Sequence, residues 1–387
     1  MKICLITLDT IKLPGVAKKI FSQANALSSN GCTISLFAIS SFINTNGIPL
    51  NQDFESSCIY FPQVSKSVNP LQKFFYRLEI FKAVAHFLRE TSPDVVYFRY
   101  PLADAGFLKL IHQFPETTFI TEHQTKEIEE LWVNHAMFPL LSELFWGGKL
   151  RYNLSAITSV TSEICQYEQK KAGREIPAFV APNGIEVTSV PLRTPPVFNG
   201  QNIEIICVAQ VAKWHGLDRL ILGIANSGNK KVFLHIVGDG PAIQSLQELV
   251  KQKALEEQVI FHGFKTGKDL DEFFDKCHIA VGSLGIHRLG LTESSVLKVR
   301  EYCARGIPFI YSPIDADFPD SFPYRLKVPA DESPINIEEV LEFAGKILDD
   351  KKHPEKMREF ATQNLDWTVK MKRLKSFFEE VIAKERS

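Results

Sequence analysis

The sequence predicts an α/β protein of two doubly wound, parallel-sheet domains, and three observations carry that prediction. Short apolar runs alternate with amphipathic stretches of helical period; the alternation restarts after residue 190; and the segment between the two series, VPLRTPPVFNG from Val190 to Gly200, is rich in proline. Runs that are apolar at every position suit strands covered on both faces, as a parallel sheet between helices requires. The expected domains are residues 1–190, joined by 366–387, and residues 191–365. The carboxyl ends of both sheets are expected to face each other across a cleft.

Taken in order, Ile3 to Leu8 reads as the first strand and Val16 to Leu27 as a helix. Thr33 to Ala38, Val95 to Phe98, Thr118 to Ile120 and Ala156 to Val160 read as further strands. Residues 66–90 carry Lys66, Lys73, Arg77, Lys82 and Arg89 among Phe74, Phe75, Phe81 and Phe87. That spacing fits an amphipathic helix packing its phenylalanines on the core, and it also fits a face that meets a membrane surface. After the joint come a strand at Ile203 to Val208, a helix at Leu217 to Ser227 and a strand at Val232 to Val237. A helix at Ala242 to Gln252, a strand at Gln258 to Phe261, a helix at Asp269 to Lys276 and a strand at His278 to Val281 follow. From Trp367 to Arg386 the positions Met371, Leu374, Phe377, Phe378, Val381 and Ile382 form a helical apolar stripe.

Composition narrows the function classes. With 44 basic and 45 acidic residues the net charge is -1, so no overall field draws the chain to nucleic acid, which is not an expected partner. The seven cysteines include no C-x-x-C pair and read as buried thiols of a reducing compartment. The opening apolar run is too short for a signal segment, and no stretch reaches the roughly 18 to 20 apolar residues of a membrane span. A cytoplasmic location is the expectation.

The most informative stretch is Arg288-Leu-Gly-Leu-Thr-Glu293-Ser-Ser-Val-Leu-Lys298-Val-Arg300-Glu301, closed by Gly306 and Pro308. It follows a strand and reads as loop, helix start, helix and stop. Ser294 and Ser295 are candidates to cap the helix, whose first amides and dipole favour an anion, with Lys298 and Arg300 in the first two turns. Glu293 and Glu301 can both border a ligand seated there. A second polar group, Gln210 with Lys213-Trp214-His215, follows the strand ending at Val208 and reads either as a surface turn or as a ligand loop. In the first half, Glu122 and His123 end a strand, where a cleft residue would stand, and Glu122 is placed to orient the imidazole. Pro14-Gly15 closes the first strand-to-helix loop, where glycine permits close backbone approach. The histidines lie at dispersed positions without metal-ligand spacing, and Asp315-Ala-Asp317 comes after the helix beside a proline turn.

These landmarks resemble the E-x7-E signature of the family-four retaining glycosyltransferases of GT-B fold. The resemblance extends to Pro182-Asn183-Gly184-Ile185, to Val237-Gly238-Asp239-Gly240-Pro241, to His262-Gly263-Phe264 and to Trp367 with the helix after it. It implies two Rossmann-like domains with a C-terminal crossover helix. It also implies transfer of a hexose-type sugar from a nucleoside diphosphate donor, with retention, to a saccharide or lipid-linked saccharide in cell-envelope assembly. By the same resemblance Glu301 meets the ribose, the amides of Ser295, Val296 and Leu297 meet the diphosphate, and Glu293 lies beside the sugar. His123 contacts donor or acceptor, and Gly15 and Glu122 lie on the acceptor side. No metal or other cofactor is implied, and peripheral contact with the inner membrane is. The chain departs from the family pattern where a diphosphate-clamping arginine and lysine become Gln210 and His215. Lys213, Arg288 and Lys298 are the candidate replacements, and a bound phosphate would favour a protonated His215. The departure motivates one alternative, a nucleotide-sugar-binding subunit or regulator that has lost catalysis; a sugar-nucleotide epimerase of the same fold is a second.

Overall fold

The computed structural model describes residues 1–10, 14–39, 58–61, 70–198 and 202–386. Lys66, Asn199 and Gly200 fall outside them, as do the side chains of Lys73 and Phe74. The chain divides into two compact units, Met1–Pro182 with Trp367–Ser387, and Asn183–Asp366.

The first unit contains β1 (Lys2–Thr10), α1 (Pro14–Ser29), β2 (Thr33–Ile39), β3 (Cys58–Phe61), α2 (Pro70–Thr91), β4 (Val95–Arg99) and α3 (Ala105–Gln113). It continues with β5 (Thr118–His123), α4 (Glu127–Val133), α5 (Met137–Tyr152), β6 (Ala156–Ser159), α6 (Ser162–Ala172) and β7 (Ala178–Val180). Its parallel sheet has the order β3-β2-β1-β4-β5-β6-β7. Ile3 to Thr7 of β1 and Val95 to Phe98 of β4 are buried, which explains why these stretches read as apolar runs. Phe81 and Phe87 of α2 are buried in the core with Phe98 and Phe107, so the packing alternative holds for these two rings and the membrane-face reading does not. Phe75 is the exposed large apolar side chain of that helix among the described residues.

The second unit contains β8 (Ile203–Val208), α7 (Leu217–Ser227), β9 (Val232–Val237), α8 (Ile243–Gln252), β10 (Val259–Gly263), α9 (Gly267–Lys276) and β11 (Ile279–Val281). α10 (Leu297–Arg305), β12 (Phe309–Tyr311), β13 (Arg325–Lys327), α11 (Ile337–Leu348) and α12 (His353–Asn364) complete it. The sheet is again parallel, in the order β10-β9-β8-β11-β12-β13. The last helix, α13 (Trp367–Arg386), returns to the first unit. There Lys375 Nζ donates to the carbonyl of Asn30 at 2.9 Å, and Phe378 packs on Tyr97 at 5.2 Å between ring centroids.

The division differs from the one expected at residue 190. Residues 183–190 join the second unit, held there by Asn183 N on Ser295 Oγ at 2.8 Å and Ile185 N on Leu365 O at 2.9 Å, and Arg193 anchors the proline-rich stretch after them. That buried guanidinium donates to the carbonyls of Gly306 (3.0 Å) and Cys277 and lies 3.1 Å from His353 Nε2, gathering the ends of α9 and α10. Such carbonyls lack intrahelical partners, and a fork of donors satisfies several at once. Proline content marked an irregular segment correctly, but the boundary between the units lies before it, at Asn183.

Candidate functional site

In the second unit the strand order reverses between β8 and β11, the place where loops leaving neighbouring strands diverge and open a crevice. β8 leads to Gln210 and a 3-10 turn, Lys213–His215; β11 leads through a second turn, Ile286–Leu289, to Glu293 and α10. The two loops are stitched together. Leu284 N donates to His215 O at 3.0 Å and Gly285 N to Trp214 O at 3.2 Å. Gly216, with φ +64°, lets the backbones approach, since a Cβ there would stand 2.8 Å from Gly285 N. Gly238 plays the same part for the Gly-Asp-Gly-Pro turn, where a Cβ would meet Ala209 O at 1.9 Å; that motif is architectural.

The start of α10 corrects one expectation. Neither serine caps the helix: its N-cap is Val296, in extended conformation, with no side-chain cap. Ser294 N instead donates to Ile314 O at 2.9 Å, beside the parallel bridge between Glu293 and Ile314. Ser295 Oγ accepts from Asn183 N at 2.8 Å, and Asn183 Nδ2 donates to Ser295 O at 2.5 Å. The serine-rich loop is therefore pinned by the Pro-Asn-Gly turn, and the first amides of α10 retain their unopposed dipole.

Lys298 lies half-buried beside this helix start, its Nζ 3.6 Å from Cys207 Sγ. Among the described residues it makes no ion pair, and burial lowers its pKa. His215 is buried; its Nδ1 accepts from Ala212 N at 3.0 Å, so the ring hydrogen sits on Nε2. Burial first, and then the Lys298 ammonium, lower its pKa to about 2. His215 thus enters the site as a neutral donor, and the expected protonated clamp is corrected.

The other cations are already engaged. Arg288 donates to Asp218 at 2.9 and 2.7 Å and to Glu332 at 2.9 and 2.5 Å, and these acids raise its pKa. Arg300, buried, holds Asp315 at 2.8 Å, Asp317 at 2.5 Å and the Asn183 carbonyl at 3.1 Å. The Asp-Ala-Asp pair is therefore a latch for the loop after β12. Lys213 and Gln210 are exposed. Lys213 and Arg288 line a groove of about 350 Å³ against α8 to which no residue of α10 contributes. Of the carboxylates, Glu293 is half-buried in the bridge to Ile314, and half-buried Glu301 accepts from Arg305 Nε at 2.8 Å. Tyr302 Oη ties the two strand ends, accepting from Val208 N at 3.1 Å and donating to Val281 O at 3.2 Å. Asn183, Cys207 and Tyr302 were not singled out as site residues; only contacts distant in sequence reveal them.

In the first unit, successive residues of β5 point to opposite faces. Glu122 turns toward α1, 3.1 Å from Lys19 Nζ and 2.9 Å from Gln23 Nε2, so it does not orient His123. Glu127 and Glu168 do. His123 Nδ1 lies 2.8 Å from Glu127 Oε1 and 3.2 Å from Glu168 Oε2, its Nε2 is 3.0 Å from Thr121 Oγ1, and the Tyr100 ring packs at 4.2 Å. Fully buried with both nitrogens occupied, His123 is not the cleft residue expected. Arg151 completes the cluster, contacting Glu168 at 2.5 Å, Glu143 at 2.6 Å and Glu127 at 3.6 Å. Burial lowers the His123 pKa to about 4 and raises Glu127 to about 7 and Glu168 to about 8. His123, Glu127 and Glu168 place donor atoms within 4.8 Å of one another, a grouping that the sequence spacing did not suggest. The counter-charge among them is already supplied by the Arg151 guanidinium. Gly15 is exposed at the start of α1, where an added Cβ would meet nothing.

Two parallel doubly wound sheets with a C-terminal helix returning to the first define a GT-B protein. Residues 192–364 match the family model of glycosyl transferases group 1. No curated protein matches the sequence. Among solved structures, the chain is similar to sucrose-phosphate synthase from Thermosynechococcus elongatus, with a TM-score of 0.70 and 15% identity over 99% of this chain and 100% of that one. It is similar to a glycosyltransferase from Rickettsia africae, with 0.67 and 14% over 98% of each. It is also similar to Anabaena Alr3699/HepE in complex with UDP and glucose, with 0.65 and 13% over 98% of this chain and 100% of that one. At these identities the likeness is one of fold. Among the described residues no helix is long and apolar enough to cross a membrane.

Proposed function

We propose that the chain is a retaining glycosyltransferase that takes a hexose-type sugar from a nucleoside diphosphate and seats the diphosphate at the start of α10. The observation that carries this reading is Lys298, a half-buried ammonium with no ion-pair partner among the described residues, set beside an uncapped helix N-terminus and the neutral His215. Holding a desolvated cation without a counter-ion is costly, and a diphosphate supplies one. The amides of Val296 and Leu297 and the His215 Nε2 hydrogen add donors of the kind that stabilise charge on a departing diphosphate. Glu301 is assigned to the ribose hydroxyls, releasing Arg305 to its other partner Asp271, 2.7 Å away. Glu293 is assigned to the sugar ring. Similarity in fold to a protein crystallised with UDP and glucose makes uridine diphosphate the first donor moiety to test. The acceptor is proposed to be a saccharide or lipid-linked saccharide of the cell envelope, and transfer is proposed to need no metal.

One observation favours a second reading, a donor-binding subunit without catalysis. The exposed Gln210 and the neutral His215 stand where the family carries cations, and Arg288 is held by Asp218 and Glu332. A thermal-shift panel of nucleoside diphosphates and their sugars, with and without EDTA, tests donor binding, since a ligand of the folded state raises Tm. Product analysis with saccharide acceptors then separates transfer, epimerisation without acceptor, and binding alone. Absence of any shift with every nucleotide would overturn the donor seat at α10.

A further inference from the structure

Three adjacent strands of the second unit each turn one polar side chain to the same face of their sheet: Glu204 on β8, His235 on β9 and His262 on β10. Their neighbours Ile203, Ile205, Leu234 and Ile236 point the other way, into the hydrophobic core, as strand alternation requires. The three polar groups form a chain. His235 Nε2 lies 2.7 Å from Glu204 Oε2, and His235 Nδ1 lies 2.9 Å from His262 Nε2. A carboxylate only accepts, so the His235 ring hydrogen sits on Nε2 and its Nδ1 presents a lone pair toward His262.

Metal sites are built in this order: an outer carboxylate fixes the tautomer of an imidazole whose other nitrogen is the ligand. The spacing agrees. Two nitrogens each about 2.0 to 2.1 Å from one ion stand about 2.9 Å apart at a right angle and about 3.3 Å apart at the tetrahedral one. The pair here is at 2.9 Å, so a small turn of the rings admits either geometry. Phe273 of α9 packs on both imidazoles, its ring centroid 4.4 Å from that of His262 and 6.4 Å from that of His235. A cavity of about 460 Å³, lined by Glu204, His235, Phe273 and Cys277 among others, reaches His235, and β10 is an edge strand. It gives room for the waters that complete the shell of an ion with two protein ligands. Asp275 adds a second acid to the cavity wall; the cations nearby are Lys276, paired with Glu272 at 3.7 Å, and Lys265 beside His262.

We propose that His235 Nδ1 and His262 Nε2 bind a divalent transition-metal cation of the zinc class, with Glu204 as the outer carboxylate that orients His235. The ion takes the place of the hydrogen between the two rings, and that hydrogen passes to His262 Nδ1, so both imidazoles stay neutral and nothing is oxidised or reduced. Imidazole donors suit zinc, copper and nickel and not magnesium or calcium. The ion ties the edge strand β10 to β9. The site shares no residue with the donor seat at α10, so it stands or falls separately from nucleotide binding.

Zn(II) titrated into the full chain, after treatment with EDTA and dialysis, provides the test by calorimetry and by X-ray absorption at the zinc edge. The wild type is expected to take up a single ion per chain, to melt at a higher temperature with it, and to show two imidazole nitrogens at about 2.0 Å from the metal. Mg(II) is expected to leave the melting temperature unchanged. Glu204→Gln is expected to weaken Zn(II) binding about tenfold or more, and His262→Gln at least as much. The melting temperature of each metal-free variant checks that it folds, and the absorption spectrum of the wild type gives an answer without any variant. Three results would overturn the proposal: no Zn(II) uptake, uptake unchanged in a folded His262→Gln variant, or a spectrum with a single imidazole, which would place the ion at His123 with Glu127 and Glu168.

Discussion

At the carboxyl end of β5 three glutamates close around one guanidinium, whereas at the start of α10 one ammonium stands without a carboxylate partner among the described residues. Both groups lie beside the exit of a parallel strand, where α/β proteins place their ligands. The first is paired within itself: Arg151 reaches Glu127, Glu143 and Glu168, Tyr100 and Ala103 add hydrogen bonds to Glu143, and the His123 ring is filled on both nitrogens, while Glu127 Oε2 and Glu168 Oε1 have no hydrogen-bond partner among the described residues. The second is open: Lys298 has a thiol for its nearest polar partner, and α10 has no side-chain cap. The closed cluster serves the fold; on the proposed function the open group takes a ligand, which gives the two strand exits opposite roles.

The largest expected effect lies on the closed side. Arg151→Ala leaves the buried Glu143 carboxylate without its cation and removes the group around which Glu127 and Glu168 gather, and is expected to cost about 3 to 5 kcal/mol of stability, as seen when one partner of a buried pair is removed. Chemical denaturation measures it, and an unchanged midpoint would break the contrast at its root. On the open side, Lys298→Ala should lower affinity for uridine diphosphate by about ten- to a hundredfold, the worth of a charge-assisted contact, while leaving stability unchanged or raised. Lost stability with intact affinity would move Lys298 to the structural class. Glu301→Ala should weaken nucleotide binding about tenfold, and Glu293→Ala should lower kcat at unchanged nucleotide affinity. Calorimetry paired with turnover separates the two, and identical phenotypes would undo the division of roles.

The smallest effect is a pH dependence confined to the closed cluster. Glu168 and Glu127 have pKa values raised from 4.5 to about 8 and about 7, so their contribution to stability is complete below 4.5 and is lost as pH rises through 7 to 8. His123, lowered from 6.5 to about 4, contributes above 6.5 and loses that contribution as pH falls through 4. Between pH 6.5 and 8 the carboxyl contribution alone changes, so Tm should fall across that window. Glu168→Gln should flatten the fall. A wild-type Tm that is level or rising there would show the carboxyls to be ionised throughout.

Much of this architecture was legible from periodicity. Strands buried on both faces, such as β1, β4, β8 and β9, announce themselves as apolar runs, and Gly306 followed by Pro308 marks the stop of α10. β13 was not legible, because Arg-Leu-Lys at a sheet edge has no apolar run to show. In the site, the strand, loop and helix order was readable, but the use of each side chain was not. Ser295 is claimed by Asn183, 112 residues away, and Arg288 by Asp218 and Glu332. Glu122 and His123 are neighbours in sequence that serve different faces of one sheet.

The sequence by itself determined the alternation of strands and helices, the doubly wound class, and the place of a loop and helix start suited to an anion, because these depend on patterns within a few turns or a single strand. The tertiary structure alone decided which charges remain available. A side chain's protonation and partners depend on burial and on groups brought close from far along the chain, as Arg151 is to Glu127, and local sequence does not record that proximity.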